Sequence, residues 1–300
     1  MADCVNPIRD GPWLDWGGDG PTLHFAHANG FPPATYRQLI EVFKARYHVV
    51  SMEARPLWPE SSPDELDDWS LLADDLRAEL DRRGVRGIVG VGHSLGAVCT
   101  LLAATEDPGL FTTVVAIDPI VLTGRHSLLW GTMKAVGVGN MLPIVRGARG
   151  RRDHWPDPET ARVGYLNKKM FRWWNLEAFE DYLTEGIVPR PDGGVVLRYP
   201  KRWEERIFRV SPHNLWPVLR RMPVPSIFVE GEHTDTFLPA AATRVAREVP
   251  GARVLVIPDT SHFVPMEKPE EMGRAIMAAV DEAGSEKGRS PESKKLEVKG

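Results

Sequence analysis

The sequence predicts an α/β fold, a mostly parallel central sheet with helices on both faces, and three observations lead there. Short apolar, β-branched runs alternate with amphipathic segments from Thr22 onward, the order expected when helices cross back over a parallel sheet. A long stretch of helical periodicity follows the second run. A serine flanked by glycines then stands between the third run and another helical stretch.

The runs read as strands are Thr22 to His27, Tyr47 to Met52, Gly87 to Val91, Thr113 to Ile117, Ser226 to Val229 and Val254 to Ile257. Weaker strand character at Trp13 to Trp16 adds an edge hairpin at the start. Leu66, Trp69, Leu72, Ala73, Leu76 and Leu80 recur at helical spacing, predicting a helix over Leu66 to Arg83 that Gly84 stops. Such a stripe is core. Glu270 to Asp281, opened by Pro269 and acidic neighbours, predicts the closing helix.

With 300 residues and 42% hydrophobic content, the chain can bury a large core as one domain carrying a long insertion. A net charge of -4 with mixed signs gives no field that favours nucleic acid or an anionic membrane, so neither partner is expected. The two cysteines, Cys4 and Cys99, are too few for a disulfide framework and fit a reducing compartment. Met1 to Pro7 has neither a basic segment nor an apolar one of the kind that directs secretion, and no apolar run approaches a membrane span. A cytoplasmic protein is the expectation.

Between Gly124 and Pro217 the alternation breaks into helical fragments with Pro and Gly punctuation. Six of the ten tryptophans fall there: Trp130, Trp155, Trp173, Trp174, Trp203 and Trp216. A segment with that much apolar surface must bury it, most simply by folding over the open end of the sheet as a mainly helical cap. The expected organisation is a core of residues 1–123 and 218–282, a cap of 124–217, and a disordered tail over 283–300, where Ser, Glu, Lys and Pro dominate.

Ser94 lies in Gly92-His93-Ser94-Leu95-Gly96, after the run ending at Val91 and before the helical stretch Ala97 to Thr105. A sharp strand-to-helix turn pushes a serine hydroxyl clear of the sheet, and the glycines two residues away on either side relieve the crowding. The pattern alone is weak; the strand before it and the helix after it carry the reading. With strand, elbow and insertion in place, the chain resembles the α/β-hydrolase fold superfamily, as a serine esterase-like member with a cap domain, over about Pro12 to Ala283.

The resemblance implies a triad of Ser94, an acid and a histidine, in that chain order. His262, in Pro258-Asp259-Thr260-Ser261-His262-Phe263 after the last run, is the expected general base. The acid is expected in Glu230-Gly231-Glu232-His233-Thr234-Asp235-Thr236, and Asp235 is the first candidate. Relatives place this aspartate three residues after the glycine, whereas Asp235 comes four after Gly231. Glu232 and Asp118, which follows the fourth run, stay open as alternatives. The resemblance also implies an oxyanion hole of two backbone amides, Leu95 N–H and, from the loop His27 to Pro33, Phe31 N–H. Relatives often carry an Arg-Gly-His-Gly turn where this chain has Glu53 to Pro59, a loop read as structural, with Leu57 or Trp58 as alternative pocket contacts.

Serine at the nucleophile position disfavours the alkyl-enzyme routes of aspartate-bearing relatives and favours acyl-enzyme chemistry on carboxylic esters. Thioester and carbon-carbon bond cleavage use a similar triad, and small-molecule receptors of this fold are an alternative of another class. Asn29, Trp130 and Trp174 are the candidate substrate contacts, with a satellite core as the alternative for the tryptophans. An apolar acyl or aryl ester is the expected substrate. Arg125, Arg146, Arg149, Arg151 and Arg152 are the candidates to meet an anionic one, though such clusters are more often a solvated face. The histidines lack a metal-binding spacing and no phosphate loop is present, so no metal and no cofactor are expected.

Overall fold

The computed structural model of the protein describes residues 6–287. The chain opens with β1 (Ile8–Asp10), β2 (Trp13–Gly17), β3 (Thr22–Ala26), α1 (Arg37–Lys44) and β4 (His48–Met52). It continues through α2 (Ser70–Arg82), β5 (Ile88–His93), α3 (Leu95–Glu106) and β6 (Phe111–Ile117). The segment 124–217 then forms α4 (Gly124–Ala135), α5 (Pro143–Gly150), β7 (His154–Trp155), α6 (Pro158–Leu166), α7 (Leu176–Gly186), β8 (Ile187–Pro189), β9 (Val195–Leu197), α8 (Lys201–Val210) and the short α9 (Trp216–Leu219). The last part supplies β10 (Ser226–Gly231), α10 (Pro239–Glu248), β11 (Ala252–Ile257), α11 (Val264–Glu267) and α12 (Pro269–Lys287).

The main sheet has the order β1-β2-β4-β3-β5-β6-β10-β11. The expected hairpin forms its antiparallel edge, and from β4 to β11 every pairing is parallel. All six runs read as strands are strands of this sheet. Two of them, β5 and β10, are buried along their whole length, which is why they read as continuous apolar runs. Helices α2, α3, α9 and α10 cover one face, α1 and α12 the other.

Two helix boundaries differ from expectation. Helix α2 begins at Ser70, yet Leu66 and Trp69 are still buried, because the entering chain continues the same apolar stripe and Trp69 Nε1 donates to the Ile207 carbonyl at 2.9 Å. Helix α12 runs to Lys287, past the point where a disordered tail was expected; the remainder of that expectation, 288–300, lies outside the described residues.

The segment 124–217 is mainly helical, with a small antiparallel sheet of order β7-β9-β8. Its side chains merge with both layers of the core. Trp203 and Ile207 pack with the residues of α2 and α3, and Trp174, Phe179 and Tyr182 pack with Phe31 and Tyr36 on the other side. Of the adjacent pair, Trp174 is buried and Trp173 is half exposed, so only one joins the core. An ionic clamp ties the segment to the sheet edge: buried Glu53 accepts Arg9 Nη1 and Arg198 Nη2, each at 2.5 Å. In the loop after β4, Arg55 grips Asp75 at 2.8 and 2.5 Å, and Leu57 and Trp58, partly buried, pack against the core. Among the described residues no helix is long and apolar enough to cross a membrane.

His24 on β3 is buried with no partner at either ring nitrogen, and burial pushes its pKa down to about 3. Burial pushes His27 and His93 down as well. An unfolded histidine titrates near pH 6.5, so as pH falls the unfolded chain takes up protons that the folded chain refuses. The stability that His24 contributes is therefore full above about pH 6.5 and is lost progressively toward pH 3, at up to about 1.4 kcal/mol per pH unit, and His27 and His93 act in the same direction. Replacing His24 by Leu should flatten the dependence of unfolding free energy on pH between about pH 6 and pH 4 by up to one proton. Urea denaturation at stepped pH measures this, and an unchanged slope would mean that folded His24 already carries a proton.

Candidate active site

The elbow is made possible by what Gly92 and Gly96 lack. A Cβ on Gly92 would lie 2.5 Å from the Gly96 carbonyl group, and one on Gly96 would lie 2.2 Å from the Ala26 carbonyl oxygen. The first turn of α3 therefore rests directly on the backbone at the end of β3. Ser94, between strand and helix, has φ 52° and ψ -109°, a conformation that costs a non-glycine residue of order 1–3 kcal/mol. Its N–H donates to the Ile117 carbonyl at 2.9 Å, which pins the turn to the neighbouring strand.

Ile117 ends β6, and the next residue, Asp118, is fully buried with φ 43°. Its N–H donates to Val229 at 2.8 Å. Three donors converge on its carboxylate: His262 Nδ1 to Oδ2 at 2.8 Å, Thr234 Oγ1 to Oδ2 at 2.6 Å, and Phe237 N–H to Oδ1 at 3.2 Å. A carboxylate removed from water requires such compensation. With Nδ1 donating to Asp118, the other ring nitrogen of His262 is left to exchange protons.

Asp235 does not reach this arrangement. It is exposed, and its carboxylate takes the neighbouring Thr236 hydroxyl at 3.3 Å. The spacing explains the substitution. The chain turns at once after Gly231, Thr234 N–H donating to the Gly231 carbonyl at 3.0 Å, and the position three after the glycine is Thr234. Its hydroxyl is the group of this loop that meets the Asp118 Oδ2. Glu232 is also accounted for, accepting the Asp259 N–H at 2.9 Å. Thr234 went unnoticed in the sequence; the displaced spacing after Gly231 was the available signal.

Leu95 is the first residue of α3, and its N–H is one of those a helix leaves without an internal acceptor. Phe31 N–H donates to the Ala28 carbonyl at 3.3 Å, closing a turn, so the expected second oxyanion donor is engaged by its own loop. The Phe31 ring lies 5.8 Å from Trp174 and 5.6 Å from Phe263, the residue after His262. Trp174 thereby stands beside the histidine loop, and its Nε1 is buried without a partner. Asn29 gives Nδ2 to the Glu204 carbonyl at 3.1 Å and keeps Oδ1 unpaired. Trp130 differs, since its Nε1 is spent on Ser211 at 3.2 and 3.1 Å.

Trp130 instead lines a cavity of about 350 Å³, walled mostly by apolar side chains and bordered by Ile120, Val121, Phe208, Asp235 and Thr236. Of the arginines, Arg151 is not on a solvated face. It lies over Gly30, paired with Glu204 at 2.7 Å and bonded to the hydroxyls of Tyr165 and Tyr182. Cys99 is buried, and burial pushes its thiol up, away from reactivity. Among the described residues, exposed Glu232, His233 and Asp259 bring ligand atoms within 4.8 Å of one another, a grouping that no local spacing announces.

A family model described as "Alpha/beta hydrolase family" matches residues 25–275. The 2-(acetamidomethylene)succinate hydrolase of Mesorhizobium japonicum is 27% identical over 269 residues, covering 88% of this chain and 89% of that protein. The sn-1-specific diacylglycerol lipase ABHD11 of Mus musculus is 22% identical, covering 88% and 82%. Among solved structures, E-2-(acetamidomethylene)succinate hydrolase aligns with a TM-score of 0.74 at 24% identity, over 90% of this chain and 94% of that one. A thermophilic esterase from Thermogutta terrifontis aligns with 0.66 at 17%, over 90% and 93%.

The contact between Gly96 and Ala26 gives a direct test of the elbow. Gly96→Ala should force α3 from β3, lowering the melting temperature by several degrees and removing activity, as read by circular dichroism and an activity assay. A variant with native melting and activity would show that the elbow tolerates a looser fit.

Proposed function

Because the chain belongs to the alpha/beta hydrolase family, we propose that it is a serine hydrolase that cleaves carboxylic esters through an acyl-enzyme, with Ser94, His262 and Asp118 as its triad. The observation that carries this reading is the buried Asp118 bonded to His262 Nδ1 at 2.8 Å, beside a serine held at positive φ. Asp118 takes the part first expected of Asp235.

In this reading Ser94 Oγ attacks the ester carbonyl carbon while His262 Nε2 takes its proton. The imidazolium is stabilised by Asp118, which keeps its negative charge throughout. The developing oxyanion is met by Leu95 N–H at the helix start. Phe31 N–H is the second donor, its 3.3 Å turn bond being long enough to exchange for a stronger acceptor. His262 then returns the proton to the leaving alcohol, and a water, activated by the same imidazole, releases the acid and restores Ser94.

The substrate is a small molecule with an apolar acyl or aryl group. Support comes from the cavity beside Trp130 and from Trp174, Phe31 and Phe263 around the histidine loop. Asn29 Oδ1 and Trp174 Nε1 are the unpaired polar groups available to orient it. The segment 124–217 acts as the cap, and the chain works in the cytoplasm. A second reading, a carboxylate-bearing substrate like the one in the name of the Mesorhizobium relative, is favoured by Arg151 over Gly30. The 2.7 Å pair with Glu204 offsets that charge, so the neutral ester ranks first.

Hydrolysis of chromogenic aryl esters from acetyl to decanoyl, with a succinate monoester beside them, tests both readings. Ser94→Ala should lower kcat by about 10⁴ to 10⁶ without unfolding the protein. A preference for the succinate monoester would install the second reading; no serine-dependent turnover on any ester would move weight to thioesters, carbon-carbon bonds or a receptor. Asp118→Asn should cost about 10³ to 10⁴ in kcat, while Asp235→Asn stays near wild type; the opposite order would return the acid's role to Asp235. Thr234→Val, which removes one bond to the buried carboxylate, should cost about ten- to a hundredfold in kcat, and no loss would show that Asp118 is held without it.

A further inference from the structure

We propose that Tyr36 and His93 form a positioning relay that fixes the backbone of the His262 loop relative to the nucleophile elbow and the loop 27–31. The inference rests on the serine hydrolase reading and extends it to two residues that touch no substrate. Ala28 N–H donates to Tyr36 Oη at 3.1 Å, Tyr36 Oη meets His93 Nδ1 at 2.9 Å, and His93 Nε2 meets the His262 carbonyl oxygen at 2.9 Å.

The direction of every bond in this chain is forced from its ends. A backbone N–H only donates and a backbone carbonyl only accepts. The His93 proton must then sit on Nε2, so Nδ1 accepts, and the Tyr36 hydroxyl donates to it while accepting from Ala28. Both side chains are buried, and burial pushes His93 down and Tyr36 up, so neither changes charge near neutral pH. The relay has one state.

His262 is thereby held twice. Its side chain is bonded to Asp118 at the end of β6, and its main chain is bonded to His93, the residue directly before Ser94. The two imidazole rings lie 4.8 Å apart at 39°, close enough that a cationic His93 would oppose the imidazolium that catalysis forms on His262. A neutral His93 with its proton directed at the carbonyl avoids that conflict. Ala28 links the same relay to the loop that carries Phe31. Ångström-scale misplacement of reacting groups costs large factors in rate, so one buried link among nucleophile, base and oxyanion loop acts on kcat.

The test measures kcat and KM on an aryl ester for wild type, Tyr36→Phe, His93→Leu and His93→Gln, with rates expressed per site titrated by an organophosphonate that labels the nucleophilic serine. Tyr36→Phe should lower kcat per titrated site about tenfold, with KM unchanged to within about twofold. His93→Leu should lose more. His93→Gln, whose terminal amide reaches toward the position of Nε2, should recover part of that loss by donating again to His262. Unchanged kcat per titrated site in both Tyr36→Phe and His93→Leu would overturn the relay, and so would a fall confined to the number of titratable sites, which marks a purely structural role. Should His93→Leu fail to fold, the nearly isosteric Tyr36→Phe decides alone. Ser94→Ala, run alongside, separates the two levels: activity surviving in it would fall against the hydrolase reading itself and take the relay with it.

Discussion

The close approach of the Gly96 Cα to the Ala26 carbonyl is the constraint on which the rest of the site depends. The 2.2 Å that a Cβ at Gly96 would leave shows that two backbones touch with no side chain between them. This contact lets α3 begin directly above the ends of β3 and β5, so that Ser94, Leu95 and the loop after Ala26 share one small volume. A strained serine is tolerable there because its neighbours over-determine it: Ser94 N–H is tied to β6, and α3 is buried on nearly every side.

The same sheet edge organises Asp118 and His262. Asp118 and His262 are 144 residues apart in sequence, yet both stand where parallel strands end, the usual place for function in an open α/β sheet. What holds the Asp118 side chain in place is a set of donors from two loops, Thr234 and Phe237 from the one after β10 and His262 from the one after β11. The buried or half-buried arginines pair elsewhere, Arg151 with Glu204 and Arg198 with Glu53. The segment 124–217 carries one partner of each pair or both, so its packing and its electrostatics bind it to the core together.

Much of this was legible in the sequence because buried parallel strands advertise themselves as apolar runs, and because the elbow needs glycine at fixed offsets from Ser94. The place of His262, in the loop after the last strand, was legible for the same reason. The carboxylate that meets His262 was legible only as an alternative: Asp118 could be named beside Asp235, but the turn after Gly231, which brings Thr234 and not Asp235 to Asp118, has no signature in the local sequence. The bond by which Phe31 N–H closes a turn on the Ala28 carbonyl has no signature in the local sequence. The bond from Tyr36 to His93 spans 57 residues, and no local pattern encodes it. Among the tryptophans, Trp173 and Trp174 could be separated in principle but not assigned, since the irregular chain before α7 has no periodicity to say which one faces inward.

The long separation between Asp118 and His262 also has a consequence for the nascent chain. At synthesis rates of roughly 5–20 residues per second, the ribosome needs on the order of 7 to 30 seconds to go from the aspartate to the histidine. During that interval β6 and its buried carboxylate exist without their principal hydrogen-bond donor, and β10 and β11 have not yet been made. The growing polypeptide therefore carries an open sheet edge at β6, and Ser94 and Asp118 without His262, until almost the whole domain has emerged. The Asp118–His262 contact and the completion of the fold arrive together, and a prematurely released fragment would expose both an unpaired strand and an unsatisfied carboxylate to the quality-control machinery of the cell.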